Sequence, residues 1–169
     1  MLDYITMAFV VALVAAFAMP FILHSRKNNK KKSLAKKQLM DFANSHGLSL
    51  TTMEFWRNSY FIGLDPVKAQ LVYSNDIAGN STQIIRLREV RDVEVHESSR
   101  KVKHQGETNK IIDRLELILN SDIPGKRWVL EVYDGERFSD VAGEPVLIKI
   151  WKNRIQNTLD GLTVRMTVS

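Results

Sequence analysis

The chain has 169 residues, with 24 Lys/Arg against 19 Asp/Glu and no cysteine, which excludes disulfides, thiolate catalysis, cysteine-ligated zinc and palmitoylation. Its formal charge of +5 is unevenly placed: seven of the Lys/Arg and one acid lie at or before Lys37, leaving 17 cations against 18 acids from Gln38 onward. A body so close to neutral lacks the basic face that nucleic-acid binding uses, so no nucleic-acid partner is expected.

Tyr4 to Leu23, YITMAFVVALVAAFAMPFIL, holds no charge. A helix rises about 1.5 Å per residue, so this run matches the roughly 30 Å of a bilayer's hydrocarbon. It predicts a single transmembrane anchor over residues 1–23. Two other readings stay open. Ala16-Phe17-Ala18 imitates a signal-peptide cleavage site, although only Asp3 precedes the apolar core, where a basic leader belongs. Cleavage near Ala18 would release an exported soluble protein or enzyme. The other reading is a buried core helix.

Behind the apolar run, Arg26, Lys27, Lys30, Lys31, Lys32, Lys36 and Lys37 form a collar with no acid before Asp41. Such an excess marks a cytoplasmic flank. It predicts a single-pass protein of the cell membrane, with the N-terminus outside and the domain in the cytoplasm. The partners implied are the lipid bilayer, spanned by the anchor, and anionic lipid headgroups, contacted by the collar at about 1 kcal/mol per cation at best.

Residues 24–47 read as a basic juxtamembrane linker turning into an amphipathic helix from Ser33 to His46. Leu34, Ala35, Leu39, Phe42 and Ala43 share its apolar face, with Ser33 as N-cap and Gly47 as the C′ residue. Past Gly47 the period falls to two. Strands are predicted over 49–56, 59–64, 69–74, 82–88, 90–97, 111–119 and 127–133, with Asp65-Pro66 opening a turn. Ser98 to Asn109 is polar except for Val102 and reads as a long loop. Val146 to Leu159 is a helix with Leu147, Trp151, Ile155 and Leu159 on one stripe, stopped by Gly161. The tail 162–169 fits a short strand or a frayed end.

The stretches WRNSYFIGLD, AQLVYS, IIRLREVRDVEV and KIIDRLELIL, followed by the helix bearing Trp151, have a recognisable order. From about Leu48 to Asp160 this order resembles the pleckstrin-homology (PH)-like superfold, in particular small bacterial membrane-anchored PH-like proteins. The resemblance implies an α+β, mainly-β domain over 48–161. Its strands, about seven and antiparallel, would form one bent sheet or barrel capped by a C-terminal amphipathic helix.

Phosphoinositide-binding PH domains carry an Arg-x-Arg on the second strand, behind a basic loop. Here that place holds Trp56, Arg57, Asn58 and Ser59, so the pattern is not met. Arg86-Leu87-Arg88 spells it on the fourth predicted strand, where alternate residues share a face and can hold an anion. The alternative is a solvated pair of arginines beside Glu89 and Asp92. Arg100, Lys101, Lys103 and His104 form a second candidate ligand contact in the polar loop, against a plain solvated loop offset by Glu97 and Glu107.

Trp56, Trp128 and Trp151 read as core. His24, His46, His96 and His104 show no ligand spacing, and no phosphate-cradling glycine loop or nucleophile elbow is spelled. No metal, cofactor or catalytic residue is expected. The function expected is a non-enzymatic, single-pass membrane protein presenting a cytoplasmic PH-like binding or scaffolding domain to another protein. A sensor of anionic lipid headgroups is the alternative.

Overall fold

The computed structural model of the chain describes Leu13 and residues 33–77, 81–104 and 107–167. The chain divides into two compact units, Met1–Phe42 and Ala43–Ser169. In the first, the described part beyond Leu13 is the start of helix α1 (33–45), where Lys36 and Lys37 are exposed and Ala35 and Leu39 are buried. Leu34 is 58% exposed, so the apolar face is narrower than its sequence suggests.

In the second unit α1 ends on Gly47, whose φ of +66° is a left-handed conformation that glycine adopts without a Cβ penalty. Gly47 N–H donates to Asn44 O and Leu48 N–H to Ala43 O, both at 2.8 Å, which satisfies two of the last carbonyls.

Seven strands follow among the described residues: β1 (Thr52–Trp56), β2 (Tyr60–Asp65), β3 (Gln70–Ser74), β4 (Gln83–Arg86), β5 (Asp92–His104), β6 (Glu107–Asn120) and β7 (Arg127–Asp134). A 3-10 turn, Leu87–Glu89, separates β4 from β5, and helix α2 (Glu144–Thr167) closes the chain. The β2–β3 turn is held by Asp65, which is buried. Its carboxylate accepts from Ser49, Val67 and Lys68 N–H at 2.8–3.0 Å. Burial pushes that carboxyl up, but the three N–H donors outweigh burial and hold it below the usual range.

Period-two apolar residues of both sheets and the stripe of α2 meet in one core. Leu71, Ile85, Leu87, Leu115, Leu117, Leu130, Ile148, Trp151 and Ile155 are at most 1% exposed. The stripe of α2 runs through Ile148, Trp151, Ile155, Leu159 and Leu162, with Leu147 only partly buried beside it.

The expected single bent sheet or barrel is corrected. β1–β4 form a four-stranded antiparallel sheet and β5–β7 a separate three-stranded one, with no closed barrel. Side chains stand where a closing ladder would run. Trp56 Nε1 donates to Val132 O at 2.8 Å and Tyr73 Oη to Glu131 O at 2.6 Å, so two β7 carbonyls accept from side chains of the other sheet. Val132 is the residue that a bulge in the β6–β7 register leaves without a partner. On the other side the 3-10 turn interrupts the chain between β4 and β5.

The transmembrane anchor is corrected as well. No helix among the described residues is long and apolar enough to cross a membrane. The longest, α2 with 24 residues, carries Glu144, Lys149, Lys152, Arg154 and Asp160, whereas a span needs about 20 consecutive apolar residues. The single-pass topology and cell-membrane location inferred from that anchor are corrected with it. The run from Tyr4 to Leu23, Leu13 apart, lies outside the described residues, as do Arg26, Lys27, Lys30, Lys31 and Lys32.

Two smaller expectations also change. The expected polar loop is strand over 98–104 and 107–109: β5 and β6 stay paired, through a register shift between Ser98 and Ser99, as far as His104↔Glu107. Backbone pairing continues there although the apolar alternation has stopped. Nor does Gly161 stop α2, which runs to Thr167. A glycine inside a helix costs about 1 kcal/mol, and the burial of Leu162 on the core offsets it.

Candidate functional site

The β6–β7 register ends at Arg114↔Asp134, so β5 and β6 continue past β7 as a two-stranded arm. Its register fixes which side chains share a face. On the face continuous with the core, Val93, Leu117 and Leu115 give way to Ser99, Lys101 and Lys103 on β5 and to Ile112, Lys110 and Thr108 on β6. Lys101 stands directly opposite Lys110, and like charges in that position destabilise a strand pair. Lys110 Nζ reaches Glu97 Oε1 at 2.5 Å, which holds the Glu97 carboxyl below its usual range. Lys101 and Lys103 are exposed and make no ion pair among the described residues.

The opposite face carries Arg100, Val102 and Ile111. Arg100 is 67% exposed and pairs weakly with Asp113, Nε to Oδ1 3.4 Å. Val102 and Ile111 are 39% and 40% exposed. His104 ends β5 opposite Glu107. Arg100, Lys101, Lys103 and His104 thus lie on a strand, with Arg100 on one face and Lys101 and Lys103 on the other. Lys110 completes the cationic set. Sequence reasoning missed it because its role depends on register.

Arg86 and Arg88 do not form the strand pair that their spelling suggests. Arg86 ends β4, whereas Arg88 lies in the 3-10 turn, so the alternation that would align them is broken. Glu89 already takes the local cations: Lys126 Nζ lies 2.5 Å and Arg86 Nη1 3.4 Å from its carboxylate oxygens. Lys126, and then Arg86, keep Glu89 below its usual range. Lys126 also sits 5.0 Å from the centre of the Trp128 ring.

A second cluster escaped the sequence altogether because its members lie far apart in the chain. Arg57 Nε donates to Glu144 Oε1, and its Nη1 and Nη2 reach Asp140 at 3.1 and 2.6 Å. Tyr60 Oη donates to Glu131, on which Arg137 Nη1 also bonds at 2.9 Å. Burial, then Glu131, pushes the Tyr60 phenol far up. Trp151 is 1% exposed, while Trp56 and Trp128 are partly buried against the core. Among the described residues no three His, Asp or Glu side chains are grouped to hold a metal. Every charge in this cluster has a partner, so its geometry suits a clasp.

Compared with known proteins, the chain matches no protein-family model, no curated protein and no solved structure. These comparisons neither support nor refute the PH-like resemblance.

Proposed function

We propose that this chain is a non-enzymatic binding or scaffolding module that recognises an acidic partner protein through the β5–β6 arm. The observation that carries this reading is the set Arg100, Lys101, Lys103 and Lys110 on paired strands that extend past β7. Binding through a loop must order the loop, whereas strand pairing has already ordered this backbone, so less conformational entropy opposes association. Lys110 is already paired with Glu97, so the charges left for an anionic partner on that face are Lys101 and Lys103, which make no ion pair among the described residues.

A second reading, recognition of anionic lipid headgroups, draws support from Val102 and Ile111, half-exposed apolar side chains on the face that carries Arg100. Titration of the full chain with polyglutamate and with phosphatidylserine vesicles tests both. The protein reading expects saturable polyglutamate binding that Lys101→Gln with Lys103→Gln weakens. Vesicle binding that needs Arg100 and Val102, without polyglutamate binding, favours the lipid reading. If neither probe binds in an arm-dependent way, the arm is not the recognition element.

A further inference from the structure

Among the described residues β5 has β6 as its one neighbouring strand, and no strand pairs with its other edge. Residues 92–104 make no backbone hydrogen bond outside the β5–β6 ladder among the described residues. An edge of this kind is a template for an added strand.

We propose that the edge over Ser99–Lys103 takes an extended acidic segment of a partner protein as an additional strand. The inference rests on the reading of the arm as the recognition element and specifies how it is used. Side chains along a strand alternate between faces, so a segment paired here presents every second residue to the face of Lys101, Lys103 and Lys110. Acids at those positions meet Lys101 and Lys103 in the neighbouring row, the two lysines of that face without an ion pair among the described residues. The same lysines argue against a second copy of this chain as the occupant. Two such edges laid side by side bring lysine against lysine, a known device for keeping strand edges apart. Charge therefore selects an acidic strand.

The test uses the full chain and labelled peptides of about nine residues alternating Glu and Thr, long enough to span the edge. The control has the same sequence with alternate backbone nitrogens methylated, which keeps the charge and removes the donors. The expected result is binding about tenfold tighter for the unmethylated peptide, a difference set by a few backbone hydrogen bonds. Lys101→Glu with Lys103→Glu should weaken it about tenfold or more, and amide-exchange protection should appear at Ser99–Lys103. Equal affinity for the two peptides overturns strand addition and leaves only surface attraction. Arm-dependent binding of polyglutamate or anionic vesicles, without binding of the Glu/Thr peptide, overturns this occupant and leaves the arm as the recognition element. Loss of every arm-dependent signal removes both.

Discussion

Arg57 and Glu144 are 87 positions apart, and the guanidinium Nε of one donates to the carboxylate of the other. Their side chains are 17% and 5% exposed. Arg57 lies in the β1–β2 turn with φ +50°, and the next residue, Asn58, has φ +56°. Left-handed backbone is rare for a long side chain and is kept where the surroundings over-determine it. Here the surroundings are Glu144 at the start of α2 and Asp140 in the segment before it. The pair ties the first hairpin to the closing helix.

Removing Arg57 leaves Glu144 charged and poorly solvated, whereas removing Glu144 leaves Arg57 its bonds to Asp140. Arg57→Met should cost about 3 kcal/mol in denaturant unfolding, the lower end for breaking a buried ion pair, and Glu144→Gln should cost less. The double variant should cost less than the sum of the two singles. Strict additivity would show that the pair does not couple.

The pair also sets a pH dependence. Burial raises the Glu144 carboxyl, but Arg57 and the Ala142 N–H outweigh burial, so its folded value lies below the usual range. The folded state therefore binds fewer protons than the unfolded chain, whose glutamates titrate near about 4.3. The stabilisation is complete above that value and is lost as pH falls through the lower, folded one. Thermal melts of wild type and Glu144→Gln should differ at neutral pH, and the difference should shrink as pH falls below the ordinary glutamate range. A constant difference would assign the stabilisation to packing.

Trp151 separates packing from hydrogen bonding. It is 1% exposed, and its indole Nε1 has no hydrogen-bond partner among the described residues. Trp151→Ala should cost about 3–5 kcal/mol. Trp151→Phe should cost less than half of that, because no indole bond is lost and a ring still fills the site. Equal losses would reveal a partner for Nε1. Lys152→Ala, away from the buried stripe, should stay within about 0.5 kcal/mol.

Tyr73 tests the junction between the sheets. Its hydroxyl donates to Glu131 O, and Tyr73→Phe leaves that carbonyl without this donor. The expected cost is about 1–2 kcal/mol. A null effect would mean that the β7 edge does not depend on side chains of the other sheet.

On the arm, stability and recognition should move in opposite directions. Lys101→Glu turns a like-charged cross-strand pair with Lys110 into an opposite-charged one, worth about 0.2–1 kcal/mol. The variant should unfold slightly later than wild type while losing affinity for acidic peptides. If it is destabilised, the register that opposes Lys101 and Lys110 is not the one adopted in solution.

Local chemistry was legible in the sequence wherever neighbours in the chain decide the outcome. The turn at Asp65-Pro66 follows from a carboxylate that bonds its own backbone, and the end of α1 from a glycine free to take φ +66°. The burial of Trp151 follows from residues spaced at helical intervals. By itself the sequence could not say that the sheets stay open, because that depends on Trp56 and Tyr73 reaching carbonyls 76 and 58 positions away. It ended β5 and β6 where their apolar alternation stops, whereas backbone pairing carries the strands on regardless of side-chain polarity. The opposition of Lys101 to Lys110 and the clasp of Arg57 on Glu144 were decided by tertiary structure alone. Register and long-range ion pairs join residues that no local pattern relates.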